Sequence, residues 1–344
     1  KLIESGTFFM KDITEENITI LPKSYGMSSS ERQWLQIDKV KEKDNSPYID
    51  VDGLKLEISK WKFPLHFIDF ETSTVAIPFN KGRKPYEQIA FQFSHHKVYE
   101  DGTVEHANQY LNTTPKQFPN FEFVRKLKQA LDGDNGTIFR YSNHENAFLN
   151  TILKQLQASK ESDADELCEF IKTITTSSQN SKSNWTGERN MVDQLELVKK
   201  YYYHPETNGS NSIKHVLPAI LNESDFLKKV YSKPVYGTDV IKSLNLKNHT
   251  WIEIGEDGKV VDPYKKLPEL FDDCNPKDVV LLSGQSLKLN NGGLALTAYA
   301  RMQFTEMSEY EREKLTQGLY QYCELDTLAM VMIHQGWLDM IQRH

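Results

Sequence analysis

The stretch FPLHFIDFETSTVA, residues 63–76, constrains the fold more than any other part of the chain. Its apolar and β-branched residues predict a buried strand over 65–72. Asp69 and Glu71 nevertheless sit inside it, bracketed by Phe67, Ile68 and Phe70. Residues i and i+2 of a strand share a face, so the two carboxylates point the same way while Ile68 and Phe70 point into packing. Two like charges buried side by side are costly unless something positive stands between them. A divalent cation is the natural partner, because hard ions such as Mg²⁺ prefer carboxylate oxygen. The alternative is an edge strand with both acids in water.

Composition narrows the choices. The chain has 344 residues, enough for one large domain or two ordinary ones. No apolar run approaches the roughly 18–20 residues needed to span a bilayer. KLIESGTFFMKDITEEN lacks the pattern of a signal peptide. The chain starts at Lys1, so a piece of something longer is expected. Cys168, Cys274 and Cys323 are far apart and have no CxxC spacing. A disulfide framework or zinc site is not expected, and a reducing cytoplasm fits best. The net charge of −7 argues against a protein that wraps duplexes by neutralising phosphates. It leaves room for an enzyme that meets phosphate through cations held by acids.

The pattern along the chain is mixed α/β. Residues 1–60 read as a preceding segment, with SSSERQWLQIDKVKEKD helical and YIDVDGLKLEISKW a short hairpin around Asp52-Gly53. The stretch 76–85 is a loop. EQIAFQFSHHKVYE and TVEHANQYL alternate as two strands joined at Asp101-Gly102. A helix over 120–131, a strand over 137–142 and a helix over 145–157 follow. The segment 158–190 holds one helix and a Ser/Asn-rich loop. VDQLELVKKYYYHP and SIKHVLPAIL are helical, 223–300 is mixed, and the end is a long helical pattern in one piece or two. This order puts the first strand near the centre of its sheet.

Two further acids stand where a site could be built. Glu145 lies where TIFRYS gives way to a helix, and sites form at the carboxyl ends of strands in α/β sheets. On its own it reads more readily as an acid favoured at a helix N-terminus. Asp326, in QYCELDTLAM, falls four residues after Tyr322, which stacks the phenol and the carboxylate on one helix face. Ala329 and Met330 turn that face inward; a surface Tyr–Asp pair is the alternative.

Together these pieces resemble the DEDD superfamily of 3′–5′ exonucleases in the RNase H-like fold. FIDFET resembles the first motif, ENAFL the second, and YCELD the third in its tyrosine variant, DEDDy. FIDFET, PYEQIAFQFSHH, YYYHPETNGSNSIKHVLPAI, NNGGLALTAYARM and YCELDTLAM also resemble a bacterial family defined as a domain of unknown function. Its members commonly carry this module behind a RecB-like nuclease domain. The resemblance covers about residues 61–344, and residues 1–40 are similar to the tail of the upstream domain.

The resemblance implies a mixed sheet flanked by helices, with insertions near 158–190 and 223–300. It implies metal-dependent 3′–5′ hydrolysis of single-stranded DNA or RNA ends with two Mg²⁺ or Mn²⁺ ions. Asp69 would bridge both ions, Glu71 and Asp326 would complete the site of the attacking water, and Glu145 would support the second ion. Tyr322 would position the water, since a phenol with a pKa near 10 is a poor base. Thr72 would meet the 3′ end. One departure is that the second motif usually supplies Asp; Asp193 is the rival to Glu145, although it more readily orders the start of its own segment.

Phe79, Tyr86 and Tyr201–Tyr203 are stacking candidates, with core as the commoner role. His95, His96, His204 and His215 have no metal-ligand spacing and read as structural. Lys84 and Lys214 could meet phosphate, with solvated surface as the commoner role, and Gly292-Gly293 reads as a turn. A binding module that does not cleave, or an endonuclease on the same fold, are the competing readings.

Overall fold

The structure, a computed structural model, describes residues 2–4, 6–177, 184–271 and 288–343. Cys274 and parts of the two expected insertions lie outside the described residues.

The chain builds a mixed six-stranded sheet flanked by helices. Helix α1 (Ser29–Glu42), strand β1 (Tyr48–Ile49) and helix α2 (Val51–Ile58) come first. The sheet then opens with β2 (Leu65–Ser73), β3 (Ile89–Val98) and β4 (Val104–Leu111) as an antiparallel meander. Gly102 turns the β3–β4 hairpin at φ 87°, a conformation that favours glycine. Helix α3 (Asn120–Leu131) leads to β5 (Ile138–Arg140), which pairs parallel to β2. Helices α4 (His144–Gln157) and α5 (Ala164–Ile174) precede β6 (Val192–Asp193), parallel to β5. Next come α6 (Gln194–Tyr201), β7 (Tyr202–Tyr203), α7 (Ile213–Glu223), α8 (Asp225–Tyr231) and β8 (Ile241–Lys242). Helices α9 (Gly292–Phe304) and α10 (Glu309–Arg343) close the fold. The sheet order β6-β5-β2-β3-β4-β8 leaves β2 inside, with partners on both edges.

Period-two alternation explains how β2 divides the core. Leu65 and Phe67 pack on one face with α7 and α10. Ile68 and Phe70 pack on the other with α3, α4 and α5. Full burial of such a side chain contributes roughly 1.5–3 kcal/mol, which fixes the register and hence the direction of Asp69 and Glu71. A register shift between Glu71 and Thr72 bends the strand directly after the second acid.

Four expectations need correction. Asp52-Gly53 is not a hairpin turn but the first turn of α2, because Asp50 caps it by accepting from the Gly53 amide at 2.9 Å. The edge that a hairpin would have satisfied pairs instead with β7, Tyr48 opposite Tyr203. Tyr202 and Tyr203 are therefore strand rather than helix. Gly292-Gly293 open α9 rather than form a turn, with Asn291 accepting from the Leu294 amide at 3.0 Å. The C-terminal pattern is a single helix of 35 residues, buried from Gln321 to His334. Residues 28–58 are tied to the rest by Arg32, whose guanidinium donates to Tyr202 O at 2.6 Å and Asn211 Oδ1 at 2.6 Å. Among the described residues no helix is long and apolar enough to cross a membrane.

Candidate metal centre

Helix α10 crosses the face of β2 that carries Phe67, Asp69 and Glu71. Tyr322, Cys323 and Asp326 lie on its buried stretch. The Cys323 thiol donates to Asp69 O and Oδ2 over 3.7 and 3.8 Å, which fixes the helix against the strand. Strand β5 runs parallel to β2, so the helix that follows it starts beside the carboxyl end of β2. Glu145 stands in the first turn of that helix, buried.

The four acids share one electrostatic field. Asp69 is pushed well above the usual carboxylate range by burial and by the charges of Asp326, Glu145 and Glu71. Glu71 moves the same way for burial and Asp326, with Lys214 opposing. Burial raises Asp326 against the hydrogen bonds and charge of Tyr264, Lys214 and Tyr322. Burial pushes Glu145 up to about 8, opposed by its own backbone amide and by Arg140.

These residues fit a divalent cation. Asp69, Glu71 and Cys323 each offer one ligand atom, all within 4.8 Å of one another. Glu145 Oε2 is buried with no hydrogen-bond partner, an orphan that a cation or its water would satisfy. Carboxylates crowded out of water hold protons for want of a positive charge, and hard oxygen donors are what Mg²⁺ and Mn²⁺ take. The Cys323 thiol is itself pushed up by burial and by Asp69, so it serves as a neutral donor rather than a thiolate ligand.

Asp193 is spent elsewhere. It accepts from the Leu195 amide at 3.1 Å, the Ser142 amide at 3.0 Å and Arg140 Nη1 at 3.0 Å, which orders the start of α6. Thr72 Oγ1 pairs with His144 Nε2 at 2.9 Å on the rim of the cluster.

Of two further residues at the centre, the sequence reading preferred solvated surface for one and missed the other. Lys214 is not solvated surface. Its Nζ donates to the Tyr322 hydroxyl at 3.2 Å and to Asn290 O at 3.1 Å, and lies over the Tyr264 ring at 4.6 Å. Its position at the start of an amphipathic helix carried no signal beyond a single cation. Tyr264, in the short helical turn 263–266, donates its hydroxyl to Asp326 Oδ1. It comes from the part of 223–300 that has no periodic pattern. Lys214 also lines a cleft of about 450 Å³ with Lys259, Lys265 and the acids Glu206, Asp257 and Asp262, and Lys259 pairs with Glu206 at 2.5 Å.

The remaining expectations divide cleanly. Tyr201, Tyr202 and Tyr203 are core, and Phe79 is buried edge-on against Tyr299. Tyr86 stays exposed. His95 bonds His66 at 2.9 Å, His96 bridges Thr327 at 2.7 Å and Tyr236 at 2.9 Å, and His204 accepts from the Glu206 amide at 3.0 Å. These histidines hold structure together, whereas His215, also expected to be structural, is exposed and lines the cleft beside Lys214.

A protein-family model, Domain of unknown function (DUF2779), matches residues 66–212. It spans Asp69, Glu71 and Glu145, and ends before Lys214, Tyr264 and α10, so it covers less than half of the chain. Neither the curated proteins nor the solved structures gave a match.

Proposed function

We propose that this chain is a metal-dependent 3′–5′ exonuclease of the DEDDy type on an RNase H-like fold, acting on single-stranded DNA or RNA ends. The observation that carries the reading is that Asp326, Glu71 and Asp69 act together on the Tyr322 phenol, with Glu145 close enough to act on Asp69 and Glu71. The antiparallel meander on one side of β2 and parallel strands on the other are compatible with that fold.

Asp69, Glu71, Glu145 and Asp326 would hold Mg²⁺ or Mn²⁺, which would supply an acidified water and charge neutralisation at the leaving oxygen. The chain's own residues do the rest. Burial and the charge of Asp326 push the Tyr322 hydroxyl further up, so it keeps its proton and orients a water by hydrogen bonding. Lys214 fixes that hydroxyl and presents a positive charge between the acids and the 450 Å³ cleft, where a phosphate would approach. Thr72, held by His144, borders the position of the terminal nucleotide. The hydrophobic residues below β2 exclude bulk water and strengthen each of these interactions.

A 5′-labelled single strand incubated with Mn²⁺, Mg²⁺ or EDTA tests the reading. A cation-dependent ladder shortening from the 3′ end, lost in Asp69→Asn and Asp326→Asn, is the expected result. A folded protein that cuts no DNA or RNA with either ion contradicts it. One observation favours a binding module that does not cleave: the Tyr264 hydroxyl already occupies Asp326 Oδ1. If Tyr264→Phe gains activity where the wild type has none, that second reading holds for the wild-type chain.

A further inference from the structure

A groove of about 710 Å³ runs between the loop after β2 and the last turns of α4. Lys84, Tyr86, Lys154 and Lys160 line it. The acids that also line it are already engaged. Glu87 accepts from Arg83 Nη1 at 3.2 Å, from the Lys84 amide at 3.0 Å and from Gln155 Nε2 at 3.0 Å. Glu161 accepts from Arg125 Nη2. The ammonium groups of Lys84, Lys154 and Lys160 face solvent with no acidic partner among the described residues. In a chain of net charge −7, this is a local excess of free positive charge.

Tyr86 adds a second, independent signal. It is 67% exposed and sits at φ 59°, a left-handed conformation rare for a bulky side chain. Its amide donates to Val75 O at 2.8 Å, so the backbone is fixed while the ring is presented to water. Strain of this kind at an exposed aromatic points to use rather than packing.

The groove is also joined to the acidic cluster. Helix α4 carries Glu145 in its first turn and Lys154 in its last, and the Thr151 hydroxyl bonds Gln88 Oε1 at 2.6 Å to pin the loop beside it. At 1.5 Å per residue the groove begins at Thr151, roughly 9 Å along the helix from Glu145.

We propose that this groove binds single-stranded nucleic acid, the part of the substrate leading away from the hydrolysed end. Lysines neutralise its phosphates and a base stacks on Tyr86. The inference rests on the exonuclease reading for the direction of the strand, but its test does not need cleavage.

Fluorescence anisotropy of labelled oligo-dT and oligo-rU, in EDTA across a salt series, measures binding by the whole chain. The variant K84E/K154E/K160E, altered at exposed positions, is expected to bind roughly tenfold or more weakly and to lose about 2 from the salt slope. Tyr86→Ala should weaken binding roughly fivefold or more with the slope unchanged. Both should hydrolyse the p-nitrophenyl ester of thymidine 5′-monophosphate with Mn²⁺ as the wild type does, because that substrate is too short to reach the groove. Preference between the two oligonucleotides identifies the natural sugar. Wild-type affinity and salt slope in both variants overturn the groove, as does a polyglutamate peptide that competes as well as the oligonucleotide. Failure of the exonuclease reading shows separately, as a wild type that cuts neither long nor short substrate.

Discussion

Lys214 on α7 donates from Nζ to the Tyr322 hydroxyl on α10 over 3.2 Å, a bond between residues 108 apart in sequence. It joins a hydroxyl aimed at the acidic cluster to a fixed positive charge. In the proposed reaction both side chains act on the same water and phosphate. Lys214→Met and Tyr322→Phe should therefore each lower kcat roughly 10²-fold with smaller effects on KM. The double variant should lose little more than either single one, since groups that act as a unit are not additive. Steady-state kinetics on a 5′-labelled single strand checks this; fully additive losses would separate the two residues.

Glu145 carries a stability cost that a bound cation would remove. Its folded carboxyl titrates at about 8, against 4.5 for an ordinary one, with burial the main cause. The sign follows. Between pH 4.5 and 8 the unfolded chain releases a proton that the folded chain keeps, so stability without metal is full below 4.5 and falls as pH rises through 8. Glu145→Gln removes this loss. It should raise the stability of the EDTA-treated protein at pH 8 by about 4 kcal/mol at most, and abolish cleavage. Thermal melts in EDTA and in Mn²⁺ measure both effects, and the Mn²⁺-induced rise should shrink in the variant.

Acid should weaken the fold from the other direction. His334 is buried against Trp61 and Phe67, and burial pushes it down to about 4. A histidine held neutral contributes stability that is complete above pH 6.5 and lost as pH falls from 6.5 to 4. His334→Leu should remove up to roughly 3 kcal/mol of that slope. His66 and His249, also lowered to about 4 by burial, should leave a residual slope. Urea unfolding at pH 7 and pH 4.5 measures the difference.

Gly53→Ala tests the packing of α2. A Cβ there would stand 2.6 Å from Tyr201 Cε1 and 2.6 Å from Asp50 Oδ2, closer than van der Waals contact allows. The expected loss is roughly 1–3 kcal/mol in urea unfolding. A neutral result would mean that α2 does not lie against Tyr201.

Much of the fold is legible from local periodicity. The strand at 65–73, the Asp101-Gly102 hairpin and helices α3 and α4 follow from patterns of period 2 and 3.6 that burial then enforces. The Asp69–Glu71 pair is legible because it interrupts such a pattern. What was not legible depends on contacts distant in sequence. Asp52-Gly53 reads as a turn until Asp50 caps a helix against Tyr201. Asp193 could rival Glu145 until Arg140 and the Ser142 amide take both its oxygens. Lys214 and Tyr264 sit in segments whose local pattern says nothing of their neighbours, and only the approach of α7 and the 263–266 turn to α10 brings them to Asp326.

Crystals grown with Mn²⁺, with anomalous scattering recorded at the manganese edge, test the central claim most directly. The account predicts anomalous peaks within bonding distance of Asp69, Glu71 and Asp326, and their loss in Asp69→Asn. An intact fold with no peak at these carboxylates, at saturating Mn²⁺, would contradict it.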